Sequence, residues 1–176
     1  ERITSLLLFA CISVVQQRYY RAGIGVTFNE AKEIEKIMEV IEGETRFFIN
    51  AIMKAGKIFS ANQYVFQAWN NGDGTIDAKT GWAAVDSGIG NYIKTYPVEP
   101  GGSSHPVVLR KNIITKFYAD TVAYLLWDQY NSDQPGEQFQ FSKEVRLMEK
   151  QNGAWKIVNV SGFWDYKNFV SAESLK

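Results

Sequence analysis

The chain has 176 residues, 45% of them hydrophobic and 22% charged, which is enough apolar material to bury the core of one ordinary globular domain. Lys plus Arg equals Asp plus Glu at 19 each, and no basic run stands out, so a nucleic-acid partner is not expected. A single cysteine, Cys11, excludes an internal disulfide, and a single histidine, His105, excludes the usual multi-histidine metal sites; neither metal nor cofactor is expected. Aromatics at 14%, with five Trp, suit a lined cavity or an interface, although a large core also uses them.

The N-terminal segment, 1–28, opens with Arg2 and an apolar run from Leu6 to Val15, broken only by Ser13. That is the length of a secretory h-region and too short to span a bilayer. It predicts export to the periplasm or outside the cell. "LFAC", ending at Cys11, resembles a lipoprotein box, but Phe9 fits it poorly. The competing reading is a packed N-terminal helix or strand, in which case the chain is cytoplasmic.

After a glycine-containing connector, Asn29 is a plausible N-cap for a helix in "EAKEIEKIMEVIEGETRFFINAIMKAG". Ile34, Ile37, Met38, Ile41, Thr45 and Phe48 recur at three- and four-residue spacing and mark one apolar face. Gly43, inside it, costs about 1 kcal/mol relative to Ala. A second short helix is expected at about 51–59. "QYVFQAWN" reads as a strand, "NNGDGTID" as a turn cluster, and "GWAAVDSGIGNYIKTY" as a helix ended by Pro97. Four strands then follow at about 106–119, 121–132, 137–150 and 154–165, joined at Asp120, "NSDQPGE" and "KQNG". Helices followed by a run of long strands predict an α+β domain.

The helix "EIEKIMEVIEGETRFFIN", the stretch "YVFQAWNNGDGTIDAKTGWAAV" and the closing "EVRLMEKQNGAWKIVNVSGFW" together resemble the nuclear-transport-factor-2-like (NTF2-like) superfamily. It includes ketosteroid isomerase, scytalone dehydratase and SnoaL-type cyclases, and the chain looks most like its uncharacterised bacterial SnoaL-like members, which are often exported. The resemblance implies a cone, with a curved antiparallel sheet wrapped around the long N-terminal helix. It covers 29–166 and leaves 167–176 as a tail. It says little about function, since this scaffold serves many unrelated roles.

Isomerase chemistry does not carry over. It needs a carboxylate base, a tyrosine and a neutral acid, and these positions fall near Ala68 or Trp69, near Glu44 and near Lys143. In "VAYLLWDQYN", one phase of the strand carries Tyr124, Asp128 and Tyr130, the other Leu125, Trp127 and Gln129. If the first phase faces the cone, Asp128 sits near its mouth, as an acid/base or an orienting group for a ligand. Otherwise Asp128 pairs with a cation such as Arg146 or Arg110 and sets register.

Trp69, Trp82, Trp127, Trp155 and Trp164 are stacking candidates, each also explained as core or interface. Glu42, Glu44 and Arg46 share the long helix. One of them is able to point into the cone, and a solvated face explains all three equally well. "NGDGTID" has Asp73 and Asp77 at calcium-loop spacing but lacks the other ligands, so it reads as a turn.

Two functions follow. In the first, the cone of an exported domain binds a small apolar or aromatic molecule through Trp69, Trp82, Tyr124, Asp128, Tyr130 and Arg146. In the second, Asp128 serves a cofactor-independent lyase or isomerase as its acid/base. Aromatics on both strand phases predict a homodimer through the sheet.

Overall fold

Helix α1 (Glu30–Ile49) starts behind Asn29, whose Oδ1 accepts the Lys32 amide at 3.1 Å. The expected cap is therefore formed. The structure is a computed structural model, described here for residues 28–49, 59, 63–99 and 102–176. The expected export segment and residues 51–58 of the expected second helix lie outside the described residues. Phe59 is buried and bridges Ile157 in parallel.

Strands β1 (Phe66–Asn70) and β2 (Ile76–Thr80) form a hairpin, followed by helix α2 (Trp82–Thr95). The meander is β3 (Val108–Tyr118), β4 (Val122–Ser132), β5 (Gln138–Gln151) and β6 (Ala154–Ser171), with a terminal 3-10 turn at Ala172–Leu175. The six strands make one curved sheet in the order β2-β1-β6-β5-β4-β3. Asn152 (φ 51°) and Gly153 (φ 82°) both take the left-handed region that the tight β5–β6 hairpin requires. No helix among the described residues is long and apolar enough to cross a membrane.

Three features differ from the sequence reading. The sheet is mixed, because β1 pairs parallel with β6. Hairpin chemistry reports only on strands adjacent in sequence, and β1 and β6 are far apart in the chain. "IDAKT" is a strand, with the preceding turn held by Asp73 Oδ1 accepting Thr75 N at 2.9 Å. Finally, β6 continues to Ser171, and the last residues are tied down: Ala172 N donates to Glu137 O at 2.9 Å and Lys111 Nζ to Leu175 O at 2.7 Å.

Only the inner side of the sheet meets α1 and α2. Ile37 and Ile41 of α1, Val85, Ile89 and Ile93 of α2, and Ala123, Leu125, Met148 and Ile157 of the sheet are all buried there. A fully buried aliphatic side chain contributes about 1.5–3 kcal/mol. Burial on this scale is what holds α1 down even though two of its glutamates, Glu33 and Glu44, are buried with it. Between Leu147 and Met148 the β5–β6 register shifts, so inward positions on β6 run Trp155 and Ile157, then Val160, Gly162 and Trp164. That bulge changes the phase of the strand.

Glu33 clamps the start of α1 to the end of the meander. It accepts from Lys150 Nζ at 2.7 Å, Trp155 Nε1 at 2.6 Å and Lys36 Nζ at 2.8 Å. The hydrogen bonds from Lys150 and Lys36 lower its pKa from 4.5 to about 2. A carboxylate with a depressed folded pKa contributes stability above its unfolded value, and that contribution is lost as pH falls through the folded one. Glu33→Gln should therefore be less stable than the parent at neutral pH, and the gap should close between about pH 4.5 and about pH 2. Urea unfolding followed by tryptophan fluorescence checks this; a gap independent of pH would refute the clamp.

Candidate functional site

Cross-strand rows on the inner face change character along the sheet. Gln67 on β1, Val160 on β6, Arg146 on β5 and Leu125 on β4 are in register. The next row is Trp69, Gly162, Glu144 and Trp127, then Trp164, Ser142 and Gln129, then Gln140 and Asn131. Ala123, Leu125 and Met148 close the apolar end, and polar and aromatic groups take over beyond them. A cavity of about 260 Å³ opens there. It is lined by Glu44 and Thr45 from α1, Gln67 and Trp69 from β1, Tyr92 from α2, and Gln129, Asn131, Gln140, Glu144, Arg146, Val160, Gly162, Trp164 and Tyr166 from the sheet. Ser104 and His105 come from the loop before β3.

Its floor is one guanidinium shared by two carboxylates. Arg146 donates from Nη2 to Glu44 Oε1 (3.2 Å) and Oε2 (3.1 Å), from Nε to Glu44 Oε2 (3.3 Å), and from Nη1 to Glu144 Oε2 (2.9 Å) and the Val145 carbonyl (3.0 Å). Its guanidinium lies 5.1 Å from the Trp127 ring centroid. Ser142 Oγ donates to Glu144 Oε1 at 2.7 Å. All three charged residues are buried. Burial pushes the Glu44 carboxyl above its ordinary range, and the Glu144 charge adds to that against the pull of Arg146. With Glu44, Glu144 and the Val145 carbonyl on it, the Arg146 guanidinium has no N–H left over for an anion. Gly162 gives Glu144 room: a Cβ there would sit 3.1 Å from its Oε1.

Above the floor, Trp127 Nε1 donates to Gln129 Oε1 at 3.1 Å, and Gln129 Nε2 donates to Asn131 Oδ1 at 3.1 Å. An indole N–H is donor-only, which sets both amides in this orientation. On the loop side, His105 Nδ1 lies 2.6 Å from the Ser132 carbonyl. A carbonyl only accepts, so Nδ1 is the donor in this bond.

Of the residues singled out from sequence, Trp69, Trp164 and Arg146 line the cavity. Glu44 is the long-helix charge that points in, while Glu42 and Arg46 are exposed. Trp82 packs against Phe59 at 5.9 Å between ring centroids and belongs to the core. The placement of Tyr124, Asp128 and Tyr130 in the cone is corrected: Leu125, Trp127, Gln129 and Asn131 form the buried phase of β4, and the other three point out of the opposite face. There Tyr130 meets Phe141, its register partner, at 5.4 Å, and Tyr124 lines a shallow surface with Val145 and Leu147. Asp128 pairs with its register partner Lys143 and accepts from Asn112 Nδ2 at 2.6 Å. The Lys143 hydrogen bond, then that of Asn112, lowers its pKa. The cation is neither Arg146 nor Arg110.

Glu144, Ser142, Gln129, Asn131, Gln67 and His105 were missed as site residues. The signal for Glu144 was present in "EVR", since residues two apart on a strand share a face. The two amides needed the phase of β4, which its sequence leaves open. Among the described residues no cluster of His, Cys, Asp or Glu is placed to hold a metal.

The fold is that of NTF2-like, cystatin-like proteins. An NTF2-like protein of unknown function from Shewanella baltica superposes with a TM-score of 0.54 at 15% identity, covering 78% of this chain and 97% of that one. A protein of unknown function with a cystatin-like fold from Nostoc punctiforme gives 0.56 at 14%, covering 78% and 94%. A putative scytalone dehydratase from Novosphingobium aromaticivorans gives 0.55 at 11%, covering 80% and 88%. At these identities the likeness is one of fold. No protein-family model and no curated protein matches the chain.

Removing one member of a buried ion cluster is far worse than replacing all of it. Arg146→Met strands two carboxylates and should cost about 3–5 kcal/mol. The triple replacement of Glu44, Glu144 and Arg146 by Leu, Leu and Met should recover most of that. Denaturant unfolding measures both, and an Arg146→Met protein as stable as the parent would contradict the cluster.

Proposed function

We propose that this domain binds a small, uncharged, ring-containing molecule in its cavity, apolar over its faces and polar at one edge. The observation that carries the reading is the floor: Arg146 is fully engaged by Glu44, Glu144 and the Val145 carbonyl, beneath walls of Trp69, Tyr92, Trp164 and Tyr166. At about 260 Å³ the space falls just below the range of drug-sized pockets. The expected ligand is therefore small and only mostly apolar.

A second reading, proton transfer without a cofactor, is favoured by Glu44 and not by Asp128. Glu44 combines a place in the cavity wall with a pKa raised by burial, the property of a general acid. Export is proposed on the N-terminal run alone.

Native mass spectrometry of the full chain, with extraction of what it carries, tests these readings together. A small neutral molecule should be retained by the parent and by Asp128→Asn. It should be lost in Gly162→Leu, whose side chain fills the cavity beside Glu144. Equal retention in Gly162→Leu would place the molecule elsewhere. Conversion of the ligand by the parent but not by Glu44→Gln supports proton transfer, and an unchanged ligand in both removes it. The intact mass reports whether the N-terminal run is cleaved.

The homodimer is likewise a proposal, supported by the outer side of the sheet. Tyr64, Ile114, Tyr118 and Phe163 are each more than half exposed on it, beside Tyr124 and Leu126. Exposed apolar side chains gathered on one face in this way favour a partner. Sedimentation at micromolar concentration should show a dimer that Phe163→Asp dissociates; a monomeric parent would reject the pairing.

A further inference from the structure

We infer that the cavity selects a ligand with a planar amide edge, an N–H donor beside a C=O acceptor, read by Gln67 and supplemented by a second acceptor for Asn131. The inference rests on the binding reading above and deepens it to a chemical class: small cyclic imides and lactams, or carboxamides on a ring.

Gln67 is 1% exposed and lines the cavity, yet neither its Nε2 nor its Oε1 has a hydrogen-bond partner. It occupies an inward position on β1 between Val65, which is fully buried, and Trp69. An apolar residue would satisfy that position without leaving polar atoms unmet. A buried amide with both ends open is costly to the fold and needs an explanation. Asn131, 2% exposed, is open at one end only. Its Oδ1 accepts from Gln129, whose own orientation is dictated by the donor-only Trp127 indole, so Asn131 presents a donor, Nδ2. Gln67 and Asn131 therefore offer the cavity one donor–acceptor pair and one further donor.

The complement is a ligand with a donor beside an acceptor for Gln67, the edge of an imide, lactam or carboxamide, and an acceptor elsewhere on the molecule for Asn131, which lies three rows further along the sheet. A hydrocarbon leaves all three protein atoms unmet. A carboxylate supplies acceptors but no donor, and brings its charge to two glutamates whose arginine is already engaged. Trp69 and Trp164 supply the flat apolar surfaces that a ring needs.

The test uses four probes on the full chain at pH 6: phthalimide, N-methylphthalimide, naphthalene and benzoate, with affinities from calorimetry or ligand-observed NMR. Phthalimide should bind best. N-methylation, which removes the donor, should weaken binding by on the order of 10- to 100-fold, the effect of one unmet buried hydrogen bond. Gln67→Leu should erase the difference between phthalimide and its N-methyl derivative while keeping or improving naphthalene binding. Free of ligand, Gln67→Leu should also melt several degrees higher than the parent, because it removes two unmet polar atoms. Equal binding of phthalimide and N-methylphthalimide by the parent overturns the inference, as does selectivity that survives in Gln67→Leu. A Gln67→Leu protein that melts lower gives Gln67 a structural role and overturns it too. Preference for naphthalene or benzoate ends the amide assignment and leaves a cavity that binds small molecules. If none of the four binds at millimolar concentration, the binding reading falls with it.

Discussion

The site depends on one guanidinium held between two buried carboxylates. Arg146 ties the long helix, through Glu44, to the strand that carries Glu144, and so sets the height of α1 above the sheet. Such a cluster is a poor source of stability in itself, since desolvating three charges offsets most of their attraction. Its effect is positional. Below it Ile41, Leu125 and Met148 pack as an ordinary core, while above it no apolar side chain of the described residues completes the filling and the cavity remains.

The same helix is fixed at its other end by Glu33. Glu33 and Glu44 are eleven positions apart, about three turns, and therefore lie on one face with Ile37 and Ile41 between them. The two carboxylates do different work. Glu33 is surrounded by donors and keeps its charge, as its depressed pKa records. Glu44 shares Arg146 with Glu144 and is pushed the other way by burial. One helix face thus carries a structural anion at one end and a titration-prone carboxyl at the cavity.

The two faces of the meander divide the polar residues by role. Outside, Asp128, Lys143 and Asn112 satisfy one another and fix register at the β3 irregularity, where Asn112 takes a positive φ of 54°. Inside, Gln67 and Asn131 are removed from solvent with hydrogen-bonding capacity left over, while Gln129 uses its own on Trp127 and Asn131. Leftover capacity in a cavity wall favours recognition of a polar partner, whereas mutual satisfaction on the outside favours register.

Periodicity and turn chemistry are local, and what they report was legible in the sequence. The Asn29 cap, the apolar stripe of α1, the helix ending before Pro97, the Asn152–Gly153 turn and the four long strands all follow from residues close together in the chain. So does the α+β cone as a class. The phase of β4 was not legible, because "VAYLLWDQYN" alternates with aromatics on both sides and nothing within the strand says which side meets α1. That choice moved Asp128 out of the cavity and Gln129 and Asn131 into it. The parallel pairing of β1 with β6, the bulge that brings Val160 and Gly162 inward, and the meeting of Glu44 with Arg146 across 102 positions likewise belong to the tertiary structure. Each is a contact between distant segments, and its energy exists only once the apolar faces have closed around it.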